Sequence, residues 1–225
     1  MATTEALAFD MYGTLIDPAR MSEQLERLFP EDGQALAQMW RQRQLEFTFR
    51  LAAMERYEDF AQVTRKALDY TLEARSYTLD AAQKDALLAQ YDRLEPFDDV
   101  KPGLERLKQA GHMLAVFSNG TPKMLDALVE NAGLRGYFKE IISVDAVQTY
   151  KPAPRTYRHV ASRLMRAIGE TRLISSNPFD IVGAEAIGMQ TAWINRSGAI
   201  FDPLGPRPAL IVGTLTELAD RLAGA

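Results

Sequence analysis

A change of texture along the chain limits its possible folds more than any other feature. Ala6–Phe9 is a short apolar run that reads as a buried strand. Residues 20–93 then hold no convincing strand. Leu25, Leu28, Met39, Trp40, Leu45, Phe49, Leu51, Tyr57 and Phe60 recur at spacings near three and four among Gln, Glu and Arg, and Val63–Tyr91 continues the pattern. That is helical periodicity. Two prolines, Pro96 and Pro102, break it. Beyond them the chain alternates. Strand-like runs at Met113–Phe117, Ile141–Val144, Leu173–Ser175, Thr191–Ile194 and Ala209–Val212 are separated by helical patterns near 101–110, 122–133, 154–168, 179–188 and 215–223. Alternation of this kind implies βαβ units on a parallel sheet with right-handed crossovers. The expected fold is α/β. A Rossmann-like core spans residues 1–18 and 97–225, and an α-helical cap domain, 19–96, is inserted after the first strand. An insertion there lies over the carboxyl edge of the sheet.

Charge and composition remove several classes of partner. The 225 residues are 47% hydrophobic and 25% charged with a net charge of −4, and no block of Lys and Arg stands out. Neither nucleic acid nor an anionic membrane is an expected partner. The apolar stretches are too short for a membrane span. The start M-A-T-T-E lacks the basic and apolar regions of a signal peptide, so a cytoplasmic location is expected. With no cysteine, thiol nucleophiles, disulfides and thiolate metal sites are excluded. Asn119-Gly-Thr and Asn195-Arg-Ser match the glycosylation pattern only by chance in such a chain.

Polar groups gather where the strands stop. Asp10 ends the first run, Gly13 allows a sharp turn beside it, and Thr14 follows. Ser118-Asn119-Gly120 follows the second run, Thr149-Tyr150-Lys151-Pro152 the third, and Ser175-Ser176-Asn177 with Asp180 the fourth. In a parallel sheet these ends share one edge, where ligands bind. Taken singly, each has a plainer reading as a turn, a surface lysine or a first-turn helix residue. Four such groups in this order are hard to reach by chance.

Along its full length the chain resembles the haloacid dehalogenase superfamily, and within it the L-2-haloacid dehalogenases. The segments that carry the resemblance are F-D-M-Y-G-T-L, F-S-N-G-T-P, S-V-D-A-V-Q-T-Y-K-P-A-P-R-T-Y, I-S-S-N-P-F-D-I-V-G-A and, in the cap, W-R-Q-R-Q-L-E-F-T-F. Most superfamily members are magnesium-dependent phosphatases, and chemistry separates the two activities. A phosphatase places a second Asp two residues after the nucleophile to protonate a poor alkoxide leaving group; here that position is Tyr12. A halide leaves as a stable anion and needs its charge solvated instead. The last phosphatase motif keeps acidic residues for magnesium. Here the stretch is Ser175-Ser176-Asn177, with Asp180 its acidic residue. Both differences favour dehalogenation without a metal or cofactor.

The resemblance implies a mechanism and a role for each residue. Asp10 attacks C2 of a small L-2-haloalkanoate, inverts it and forms an ester, which water activated by Asp180 hydrolyses to a D-2-hydroxy acid. Lys151 pairs its charge with Asp10, Thr14 donates to Asp10, and Ser175 and Asn177 position Asp180 and the water. Ser118 binds the substrate carboxylate, and Arg41 and Asn119 receive the halide. Leu45, Phe60 and Phe179 form apolar walls, with Tyr12 beside them. Tyr157 orients Lys151 or the pocket wall. A homodimer is implied too, with the helical face around Phe47–Leu51 as candidate contact. His112 opens a strand and His159 lies inside a helix, which argues against a dehalogenase with a histidine base. A phosphatase and a non-catalytic carboxylate-binding protein remain the alternatives. Halogen range, fluoride included, and acid length are not legible.

Overall fold

The computed structural model describes residues 4–18 and 20–224. The expected domain limits at residues 1, 19 and 225, and the reading of Met1–Thr3, lie outside the described residues. In chain order the elements are β1 (Ala6–Phe9), α1 (Arg20–Leu28), α2 (Gly33–Ala53), α3 (Phe60–Ala74), α4 (Ala81–Ala89) and a short 3-10 turn (Gln90–Arg93). Then come α5 (Val100–Gln109), β2 (Met113–Ser118), α6 (Pro122–Asn131), β3 (Glu140–Ser143) and α7 (Pro154–Arg163). The chain closes with β4 (Thr171–Ser175), α8 (Pro178–Glu185), β5 (Gln190–Ile194), β6 (Ile211–Val212) and α9 (Leu215–Ala223).

The helices begin where their local chemistry allows. Asp59 accepts from the Gln62 amide at 2.8 Å, and Asp80 forms a reciprocal capping box with Gln83. Proline opens α6, α7 and α8, where its missing N–H leaves no bond unmade. Two stretches depart from the periodicity. The block Val63–Tyr91 is cut into α3 and α4 by a turn in which Ser76 is left-handed (φ +58°), and Asp80 then caps the second helix. The pattern near 154–168 stops at Arg163, because the chain reverses through Met165 (φ +54°) to reach β4. Leu28 belongs to the apolar periodicity yet is 40% exposed, at the frayed end of α1.

The strands form one parallel sheet in the order β3-β2-β1-β4-β5-β6. Every residue of β1 is buried, and Phe9 lies level with Val116 of β2 and Ile174 of β4. Strand order reverses at β1, so the crevice past the carboxyl ends of β1 and β4 is a switch point where open α/β sheets bind ligands.

Immediately after β1 the backbone folds back on itself. The Met11 carbonyl accepts from the amides of Leu15 and Ile16 at 3.0 Å each, and Gly13 adopts φ +88°. No atom lies within 4 Å of a Cβ built at Gly13, so conformation rather than space calls for glycine. The helical segment leaves and rejoins the sheet side by side. Asp17 donates its amide to Glu95 at 3.0 Å and Phe97 donates to Leu15 at 3.2 Å. Its helices lie over the carboxyl edge through aromatic pairs: Tyr12–Phe60 and Tyr12–Tyr91 at 5.9 Å, Tyr57–Tyr150 at 5.4 Å and Phe49–Phe179 at 5.0 Å.

Candidate active site

Asp10 is the first residue past β1, and its amide donates to the Ile174 carbonyl at 2.9 Å, which fixes the carboxylate at the β1–β4 junction. Lys151 arrives from the loop between β3 and α7. Its ammonium is 98% buried and uses all three donors, on Asp10 Oδ1 (3.1 Å), Asp180 Oδ2 (2.9 Å) and the Phe117 carbonyl (2.8 Å). The second Asp10 oxygen accepts from the Thr14 hydroxyl at 3.0 Å and the Asn177 amide at 2.8 Å. Thr14 in turn accepts the Ser176 amide at 2.8 Å. Asp180, in the first turn of α8 and fully buried, takes the Tyr157 hydroxyl on Oδ1 at 2.8 Å.

Burial pushes the Asp180 carboxyl up from its usual range; Lys151 pulls it down, and Asp10 adds to the rise. Tyr157 is raised well above the usual phenol range, by burial first and then by Asp180, so it stays a neutral donor.

Asp10 opens onto a small cavity. Its walls are Asp10, Tyr12, Arg41, Leu45, Phe60, Ser118, Asn119, Lys151, Asn177 and Phe179. Asn119 gives its carbonyl to the Lys151 amide at 3.1 Å, which leaves its NH₂ as the remaining donor. Ser118 accepts the Gly120 amide at 3.2 Å and keeps its hydroxyl proton. The Tyr12 hydroxyl is buried with no hydrogen-bond partner among the described residues, and burial raises its pKa, so it too is a neutral donor. A larger groove between α3, α4 and the start of α6 includes Tyr91 and Lys123 but none of Asp10, Lys151 and Asp180.

The comparisons bear on this arrangement directly. A model of haloacid dehalogenase-like hydrolases matches residues 4–188. The chain belongs to that family. It is 40% identical over 223 residues to the (S)-2-haloacid dehalogenase of Pseudomonas sp. strain YL, covering 98% of this chain and 96% of that one. It is 37% identical over 223 residues to haloacetate dehalogenase H-2 of Moraxella sp. strain B, covering 99% and 100%. Among solved structures, L-2-haloacid dehalogenase from Xanthobacter autotrophicus with chloropropionic acid covalently bound matches at TM-score 0.92 and 35% identity, over 99% of both chains.

The magnesium common in this wider superfamily does not fit the residues present. Tyr12 stands where a second carboxylate would, the Lys151 ammonium lies between Asp10 and Asp180, and among the described residues no three His, Asp or Glu converge on one point. Magnesium favours carboxylate and water oxygens in octahedral array.

Ten of the expected residues line the cavity, while Thr14, Ser175, Asp180 and Tyr157 stand behind it. Three partnerships differ from expectation. The Asn177 side chain holds Asp10 and the Tyr12 carbonyl (3.2 Å), because it projects from the turn before α8 back toward β1, and it is the Asn177 backbone carbonyl that meets Asp180, accepting its amide at 3.0 Å. Ser175 is fully buried and accepts the amide of Asn177 at 3.1 Å, so it shapes that turn. Tyr157 bonds Asp180, not Lys151, because α7 packs against α8 at Gly183. A Cβ there would lie 2.7 Å from the Tyr157 hydroxyl.

Residue patterning missed Gly183, Phe49 and Gln44. Phe49 packs edge-on against the cavity residue Phe179 at 5.0 Å, and Gln44 is a fully buried amide on α2. A glutamine at an apolar position of a helical stripe was the one available signal.

Proposed function

We propose that the protein hydrolyses L-2-haloalkanoic acids to D-2-hydroxy acids and halide through a covalent ester on Asp10. The observation that carries the reading is the Asp10 carboxylate, held by Lys151, Thr14 and Asn177 on the wall of a cavity that also presents Arg41 and Asn119. Names of relatives at 40% and 37% identity agree with it. An Asp10 oxygen attacks C2 from the side opposite the halide, the carbon–halogen bond breaks, and the halide departs with the electron pair. Arg41, the Asn119 amide and the Tyr12 hydroxyl receive the developing charge. Ser118 and nearby backbone N–H groups hold the substrate carboxylate, and Leu45, Phe60 and Phe179 keep water from the leaving group.

In the second step water attacks the carboxyl carbon of Asp10 and Asp180 takes its proton. The bond from that carbon to the ester oxygen breaks, the product leaves as the alcohol after reprotonation, and Asp10 is restored with one oxygen from water. Lys151 and Tyr157 keep Asp180 placed for this step, and Ser175 supports Asn177. No cofactor enters. Residues 19–96 act as a cap over a core built from 1–18 and 97–225, which is supported by the hydrogen-bonded exit and return segments at 15–17 and 95–97. A cytoplasmic homodimer completes the reading. The half-buried Phe47 and Leu51 face is its candidate contact, and sedimentation at twice the chain mass is the test.

The deciding experiment is halide release from L- and D-2-chloropropionate, with and without a chelator, beside a phosphatase assay on a generic phosphomonoester. Release from the L-acid alone, indifferent to chelator, supports the proposal. Magnesium-dependent phosphate release with no halide would replace it with a phosphatase.

A further inference from the structure

Gln44 lies one helical turn from Arg41 on α2 and is fully buried, yet the mechanism above makes no use of it. Its carbonyl accepts from Arg41 at 2.7 Å, its amide donates to the Thr64 hydroxyl at 2.7 Å, and Thr64 donates to the Phe60 carbonyl at 2.7 Å. The direction of the relay is forced. Arginine has only donors, so Gln44 must offer it oxygen and turn its NH₂ toward Thr64. Thr64, accepting there, sends its single proton to Phe60. The Arg41 end of the relay lines the cavity, and the other end closes within α3 on the Phe60 backbone carbonyl.

We propose that Gln44 is a positioning residue that locks the Arg41 guanidinium in the geometry that receives the departing halide. The inference rests on the proposed halide role of Arg41. Preorganisation is the physical reason: a long, half-buried arginine has many rotamers, and fixing its direction beforehand removes reorganisation at the moment charge develops. Holding α2 against α3 does not require Gln44. The Trp40 indole already donates to the Thr64 carbonyl at 2.9 Å across the same pair of helices.

The test is a double-mutant cycle of Gln44→Leu and Arg41→Leu, with kcat and KM for L-2-chloropropionate and L-2-bromopropionate and a melting curve for each variant. Leucine fills the space and leaves Thr64 still bonded to Phe60. Gln44→Leu is expected to lower kcat about 10–100-fold, the usual cost of losing a supporting partner. KM should change little, and the chloride should suffer more than the bromide. In the Arg41→Leu background the same substitution should add nothing, since the two act as one unit. Equal slowing in both backgrounds, or an unchanged kcat in Gln44→Leu, overturns the inference. If Arg41→Leu itself keeps full kcat, the halide role fails and takes the inference with it; a slow Arg41→Leu beside an unaffected Gln44→Leu sinks the inference alone. Should Gln44→Leu fail to fold, Thr64→Val cuts the relay at its next link and enters the same cycle, where additivity again counts against the proposal.

Discussion

Lys151 joins two buried carboxylates, and the environments of the two acids suit different tasks. Asp10 opens on the cavity and accepts three hydrogen bonds, whereas Asp180 is sealed behind it. Asp10→Asn should abolish halide release, on the order of 10⁶-fold as for other removed nucleophiles, and mass spectrometry should find no alkylated protein. Asp180→Asn should form the ester once and hydrolyse it about 10²–10⁴-fold more slowly, so the alkylated species accumulates. Finding no trapped ester would remove Asp180 as the base. The raised pKa of Asp180 also gives the pH response a sign. In the proposed role the base works ionised, so the acid limb of turnover is expected to be shifted upward from that of an ordinary carboxylate. Tyr157→Phe deletes a hydrogen bond that favours the carboxylate and should move that limb to still higher pH. For stability the sign is opposite to that of a salt-bridged surface acid. The raised group favours the fold when protonated, in full below its unfolded pKa, and that contribution fades as pH climbs through the folded value. Asp10, Lys151 and Asp180 were legible from their places after strands. The partners of Tyr157, Ser175 and Asn177 were not, because the rotamer that picks between two nearby acids depends on how neighbouring helices pack.

At the scale of elements, the junction of α7 and α8 sets the surroundings of Asp180. A Cβ at Gly183 would lie 2.5 Å from Pro152 Cβ and 2.7 Å from the Tyr157 hydroxyl, distances that real side chains do not tolerate. Gly183→Ala should therefore push Tyr157 off Asp180. The expected cost is about 1–3 kcal/mol of stability from overpacking, together with the same upward move of the acid limb as in Tyr157→Phe. A melting curve and a pH–rate profile check both; loss of stability with an unmoved limb would show that α8 shifts without disturbing Tyr157. The strands and most helices could be read from periodicity, since period two or three-point-six is written in consecutive residues. Where α3 gives way to α4, and where α7 stops, could not. Those breaks occur at Ser76 and Met165, non-glycine residues in left-handed conformation, which apolar periodicity does not register.

At the scale of the whole molecule, one sheet edge can serve two chemistries, and the groups grafted on it choose between them. Tyr12→Asp restores the spacing of a phosphatase acid but not a magnesium site, because Lys151 still lies between Asp10 and Asp180. Phosphate release from a phosphomonoester should stay at background with magnesium present, while halide release falls as a second carboxylate enters the cavity beside Asp10. By itself the sequence determined the parallel α/β core, the helical insertion after β1, and the set of strand-end groups. Each of these follows from local pattern plus the rule that parallel strands end on one edge. Only the tertiary structure decided that ten of the expected groups close around one small cavity, that Phe49 meets Phe179, and that Gln44 ties Arg41 to Thr64. These are distances between elements far apart in sequence. They depend on close packing of side chains in three dimensions, which no local pattern encodes.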